Sequence, residues 1–195
     1  MSDRLPDFAA LIGSRICHDL ISPLGAIGNG VELLSMSGAG GGPELALIAD
    51  SVANANARIR FFRIAYGAAA GEVAEAEIRS ILTGMADGGR VAIDWRIAGP
   101  VSRKRAKLAF LALQCLETAL PFGGTVTVTA AGAVWEARAD GARLAVDAAL
   151  WSNLTAPAPD PAITPAQLQF ALLPVEAGPG GIDLRQTDGS VTIRF

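Results

Sequence analysis

Apolar residues recur at steps of three and four along the first part of the chain: Leu5, Phe8, Ile12, Ile16, Leu20, Leu24, Ile27, Val31 and Leu34. That spacing predicts an amphipathic helix from about Leu5 to Met36. Pro23 lies inside it, removes one backbone hydrogen bond and predicts a bend. The run Ser37-Gly-Ala-Gly-Gly-Gly-Pro43 then breaks the pattern. No Gly-Lys-Ser/Thr follows it, so it reads as a helix-helix turn and not as a phosphate loop. A second stripe, Leu45, Ile48, Val52, Ile59, Phe62 and Tyr66, predicts a helix from Pro43 to about Tyr66, with proline suited to its first turn. Two long helices on a short connector make an antiparallel hairpin. A single hairpin cannot cover both stripes, so pairing with a second copy into a four-helix bundle is expected.

Beyond Tyr66 the periodicity changes. Gly67-Ala-Ala-Ala-Gly-Glu72 reads as a boundary between a first domain over residues 1–68 and a second over 69–195. The second opens with a helix over Glu75–Ala86 and an alternating strand over Val91–Ile97, then a helix over Ser102–Leu120. Three strands are expected next, at Thr125–Thr129, Val134–Arg138 and Arg143–Asp147. A proline-punctuated loop over Pro157–Pro165 leads to a helix ending near Leu173. The chain closes on strands Ile182–Gln186 and Ser190–Arg194, joined through Asp188-Gly189, a strong hairpin signal. The fold class is therefore α+β: a helical hairpin followed by a sandwich, with one mostly antiparallel sheet covered on one face by helices.

Composition narrows the class. Of 195 residues, 51% are hydrophobic and only 6% aromatic, so the core is mainly aliphatic. A formal net charge of -3 argues against a nucleic-acid binder, which needs a basic surface. No run of about 18 apolar residues occurs, so no membrane span is expected. The N-terminus lacks a signal-peptide pattern, and Cys17 and Cys115 form no CxxC pair, which suits thiols in a reducing cytoplasm. One histidine and two distant cysteines make no metal-ligand cluster.

That single histidine is the candidate for chemistry. His18 stands in Ser14-Arg-Ile-Cys-His-Asp-Leu-Ile-Ser-Pro23. At roughly 100° per residue it falls about half a turn from the centre of the first stripe and faces outward. Ser14, Ser22, Gly25, Asn29 and Glu32 share its face, with Arg15 at the edge; they are small or polar, so a partner can approach closely. Neutral imidazole offers one acceptor nitrogen while the other carries the proton. Asp19 has the chemistry to accept that proton's hydrogen bond and fix the tautomer.

The segment His-Asp-Leu-Ile-Ser-Pro-Leu resembles the phosphoacceptor box of two-component signalling: histidine, then an acid, then an apolar residue and a proline. With Arg15-Ile-Cys before it, the hairpin pattern and the total length, the chain resembles the ChpT-type histidine phosphotransferases. The resemblance is specific around His18 and loose after about Tyr66. It implies a dimeric four-helix bundle followed by a degenerate histidine-kinase-ATPase-like domain. It implies His18 as phosphoacceptor, Asp19 orienting the imidazole, Arg15 offsetting phosphate charge and Ser22 near the reaction, with Ser14, Gly25 and Asn29 as docking surface. The implied partners are the receiver domain of a hybrid histidine kinase and the receiver domains of response regulators. These supply Mg²⁺, so no cofactor of the chain's own is expected. Where kinases of this fold carry two asparagines on the helix before the central strands, this chain has Gln114 and Thr118. Asp147-Ala-Ala-Leu-Trp151 lacks the glycines of the adenine box, and Gly178-Pro-Gly-Gly181 reads as a helix stop. A phosphorelay intermediate follows; a divergent ATP-dependent kinase and a non-catalytic adaptor are the alternatives.

Overall fold

The computed structural model describes residues 43–67, 69–86, 89–158, 160, 162–179 and 181–195. Of the segment before these it describes residues 12, 15, 16, 19, 20, 22, 23, 25–27, 29, 30, 33 and 34. Helix α1 comprises the described positions between 12 and 34, every one of which is helical. Ser14, Cys17 and His18 lie outside the described residues, as do Leu5, Phe8, Leu24, Val31 and the glycine run at 38–42.

The remaining elements are α2 (Pro43–Ala65), β1 (Glu72–Val73), α3 (Glu75–Ala86), β2 (Val91–Trp95), β3 (Val101–Ser102) and α4 (Arg103–Thr118). They continue as β4 (Gly124–Ala131), β5 (Val134–Asp140), α5 (Ala148–Ser152), a 3₁₀ turn (Pro165–Gln167), α6 (Leu168–Ala177), β6 (Asp183–Gln186) and β7 (Ser190–Arg194). Five strands form one sheet in the order β2-β4-β5-β7-β6. Only the β2–β4 pair is parallel; the other neighbours are antiparallel. β1 and β3 form a separate antiparallel pair, too short for a periodicity signal.

The sheet's inner face follows from alternation. Thr125, Thr127 and Thr129 interleave with buried Val126 and Val128 on β4. The register sets Val126, Ala139 and Val191 in one row and Val128, Ala137 and Ile193 in the next. Small alanines on the central strand β5 leave room for α4, which packs on β4 and β5. Helix α4 is buried all round from Ala106 to Leu116, because α2 and α6 pack on its other sides. Ser102 Oγ caps it by accepting from Arg105 N.

One expected strand is absent. Residues 143–147 are irregular, because Asp147 is spent as the N-cap of α5: its Oδ1 accepts from Ala149 N at 2.9 Å and Leu150 N at 3.2 Å. Helix α6 also runs past Leu173 to Ala177, through Pro174, and stops at Gly178, whose φ of 85° only glycine adopts readily.

The second stripe divides. Phe61, Phe62, Ile64 and Ala65 are buried in the main core, and the Phe61 ring stacks on Phe110 of α4 at 4.6 Å. Leu45, Val52 and Ile59, spaced by sevens, are 51%, 41% and 49% exposed. The two sets occupy different faces of α2, so Ile59 is not part of the buried core. Helix α3 approaches α2 closely at Gly84, where an added Cβ would meet the Ala57 Cβ at 2.8 Å.

Candidate functional site

The described residues around the His-Asp step form a polar junction between α1, α2 and the sheet domain. Asp19, which follows His18 in the chain, is 7% exposed at its side chain, and its Oδ2 pairs with Arg15 Nη2 at 2.8 Å, one turn earlier on α1. Arg15 Nη1 also donates to the Ala166 carbonyl at 2.9 Å, at the entrance to α6. Arg15 thus ties α1 to the turn that leads into α6 while it holds Asp19, a position that its place on the edge of a helical wheel did not reveal. Arg58 of α2 stands on the opposite side, with Nη1 3.9 Å from Asp19 Oδ2. Its Nε donates to Asn54 Oδ1 at 2.9 Å.

Ser22, Gly25 and Asn29 are exposed on α1. A Cβ added at Gly25 would meet no atom within 4 Å, so this face is open. Beside it lies a cleft of about 450 Å³, with Asp19, Ser22, Pro23 and Ala26 on the α1 side and Asp50, Ser51, Asn54 and Arg58 on the α2 side. A second cleft, of about 380 Å³, begins at Arg58 and includes Arg90 and Glu117. Burial pushes the Glu117 carboxyl up, opposed by Arg58 and then Arg15, while Asp19 adds to the rise. Arg58 and Glu117 are functional candidates that the sequence reading missed: Arg58 sits in no motif, Glu117 carries no part of the pattern around Gln114 and Thr118, and both arrive through tertiary packing.

The positions that a nucleotide site of kinase type would use are otherwise engaged. Gln114 is buried and its Oε1 accepts from the Tyr66 hydroxyl at 2.7 Å. Burial pushes the Tyr66 phenol well above its ordinary value, against the opposing effects of Arg15 and of that hydrogen bond. Thr118 Oγ1 donates to the Cys115 carbonyl at 2.7 Å, and Asp147 caps α5. Cys115 is a buried thiol, its pKa raised by desolvation. The three polar groups therefore have internal partners. Isothermal titration with Mg-ATP should give no binding in the micromolar range; a micromolar isotherm would move the kinase alternative to first place.

A family model described as the histidine phosphotransferase C-terminal domain matches residues 75–187. The chain belongs to the histidine phosphotransferase family. It is similar to the protein phosphotransferase ChpT of Brucella abortus (strain 2308), 38% identical over 130 residues, which are 65% of this chain and 62% of that curated relative. It also aligns with a solved structure described as a bacterial phosphotransferase, at 30% identity and a TM-score of 0.79, over 96% of this chain and 95% of that one. No described helix is long and apolar enough to cross a membrane.

Proposed function

We propose that the chain is a phosphohistidine relay protein that takes a phosphoryl group from one receiver-domain aspartate and delivers it to another through His18. The observation that carries this reading is the open α1 face of Ser22, Gly25 and Asn29 beside a cleft in which Asp19 is held between Arg15 and Arg58. In the forward step a lone pair of neutral imidazole attacks the phosphorus of the acyl phosphate. The N–P bond forms as the P–O bond to the aspartyl carboxylate breaks, and the carboxylate leaves with the electron pair. The other ring nitrogen keeps its proton, leaving a phosphoimidazolium whose positive charge the nearby carboxylate of Asp19 offsets. Such transfers depend on positioning and charge neutralisation more than on covalent help from the protein. Mg²⁺ comes from the receiver. Donor and acceptor are receivers of a hybrid histidine kinase and of response regulators, and the protein acts in the cytoplasm. The second domain, 69–195, retains a kinase-ATPase-like layout without its nucleotide chemistry. Incubation with a phosphorylated receiver should leave acid-labile, base-stable label on the chain; no label would overturn the reading.

The working form is a homodimer built as a four-helix bundle. Supporting this are Leu45, Val52 and Ile59, whose seven-residue spacing makes an apolar seam on α2 that the chain leaves open. Ile59→Glu should give a monomer with unchanged helix content, since a charge there harms only the paired state. Sedimentation at micromolar concentration checks it: a monomeric parent protein, or a variant that stays dimeric, would contradict the assembly.

A further inference from the structure

We infer that Arg58 is a catalytic residue of the transfer, binding the oxygens of the phosphoryl group through its two terminal nitrogens in the cleft between α1 and α2. This rests on the relay reading above and adds a charge-bearing group from α2, across the cleft from Asp19 and Ser22 of α1.

Three observations carry it. First, Asp19 already has a close counter-ion in Arg15 at 2.8 Å, whereas Arg58 approaches the same oxygen only to 3.9 Å, beyond hydrogen-bond reach. Arg58 therefore spends no hydrogen bond on that oxygen. Second, its guanidinium is aimed by its own helix. Asn54, one turn earlier, donates to the Gly84 carbonyl at 3.4 Å and accepts the Arg58 Nε at 2.9 Å. That bond uses the inner nitrogen and leaves Nη1 and Nη2, a planar fork suited to phosphate oxygens. Third, the side chain is 29% exposed and lines both clefts, so an incoming group reaches it without the core opening. Asp50, the other carboxylate of the first cleft, lies eight residues earlier on α2, about 12 Å along the axis, too far to quench the fork. Glu117 of α4 shares the second cleft with Arg58; burial pushes its carboxyl up and Arg58 opposes that rise.

Phosphoryl transfer spreads negative charge over three equatorial oxygens as the old bond lengthens. A guanidinium in this cleft stabilises that charge in transfer to His18 and, by microscopic reversibility, in transfer away from it. Arg15, locked between Asp19 and Ala166, cannot turn to this task without releasing both partners.

The test is single-turnover transfer from a phosphorylated receiver at varied receiver concentration, for the parent protein, Arg58→Gln and Arg58→Lys, with circular dichroism and melting on each. Arg58→Gln should lower the maximal rate roughly 100-fold. The half-saturating concentration should move little, as expected when an interaction is made only in the transition state. Arg58→Lys should fall between, keeping charge without the fork. A folded Arg58→Gln with the parent maximal rate overturns the proposal, as does a loss confined to half-saturation, which would make Arg58 a docking residue. If Arg58→Gln does not fold, Arg58→Lys is decisive, and a parent-like maximal rate there overturns it. A parent protein that takes no label overturns the relay reading and this inference together; a parent that takes label while the variants match it overturns Arg58 alone.

Discussion

His18→Gln should acquire no phosphoryl label from a phosphorylated receiver while folding as the parent does. The chain has one histidine, so no second imidazole can substitute. Glutamine has comparable length and polarity but no nucleophilic ring nitrogen. On the helical wheel the position faces outward, so the substitution buries nothing new, and surface changes of this kind usually alter stability by no more than about 0.5 kcal/mol. Quenched transfer assays with acid and base treatment, run beside thermal melts, check both halves. Label retained at the parent level would place the acceptor elsewhere; lost label with a collapsed melt would leave the fold responsible.

The sequence made α2, α3, α4 and α6, the strands flanking the Asp188-Gly189 turn, the helix stop at Gly178 and the polar face of α1 legible, because each depends on local periodicity or turn chemistry. Ser22, Gly25 and Asn29 are exposed, where the azimuth set them. What escaped was decided across elements. Residues 143–147 alternate like a strand, but Asp147 gains more as a helix cap, and the order β2-β4-β5-β7-β6 leaves no place for another strand within the sheet. The second stripe looked like one face because Phe62 and Tyr66 continue the spacing of Leu45, Val52 and Ile59. Only the packing of α2 against α3 and α4 separates the buried set from the open one. Arg58 could not be singled out among the cations of α2, because its value comes from Asp19 and Asn54 being where they are. Nearness to His18 in sequence points Arg15 at phosphate; its bond to Ala166, 151 residues away, is a long-range contact that no local pattern encodes.

That division of α2 makes its inner face the place where a core substitution should cost most. Phe110→Ala should destabilise the folded chain by about 3–5 kcal/mol. Phe110 is fully buried and Phe61 is 2% exposed, their rings nearly parallel at an interplanar angle of 16°. Removing one ring deletes its apolar burial and leaves a cavity beside the other, since a close-packed interior relaxes only in part. The pair is also where α2 is anchored on α4, so the loss should reach the site. Arg58 stands one turn from Phe61 on the same helix, and a looser α2 would no longer hold its guanidinium against Asn54 and Asp19. Urea unfolding at fixed protein concentration gives the free energy, with the concentration held because assembly contributes to apparent stability. Phe61→Ala alone should cost a similar amount, and the double variant less than the sum, by about 0.5–3 kcal/mol, because the two side chains share one contact. Phe110→Leu should cost less than Phe110→Ala, as it refills part of the volume. A loss below about 1 kcal/mol for Phe110→Ala, or strict additivity with Phe61→Ala, would mean that the α2–α4 contact is not the joint that carries the helical element on the sheet domain.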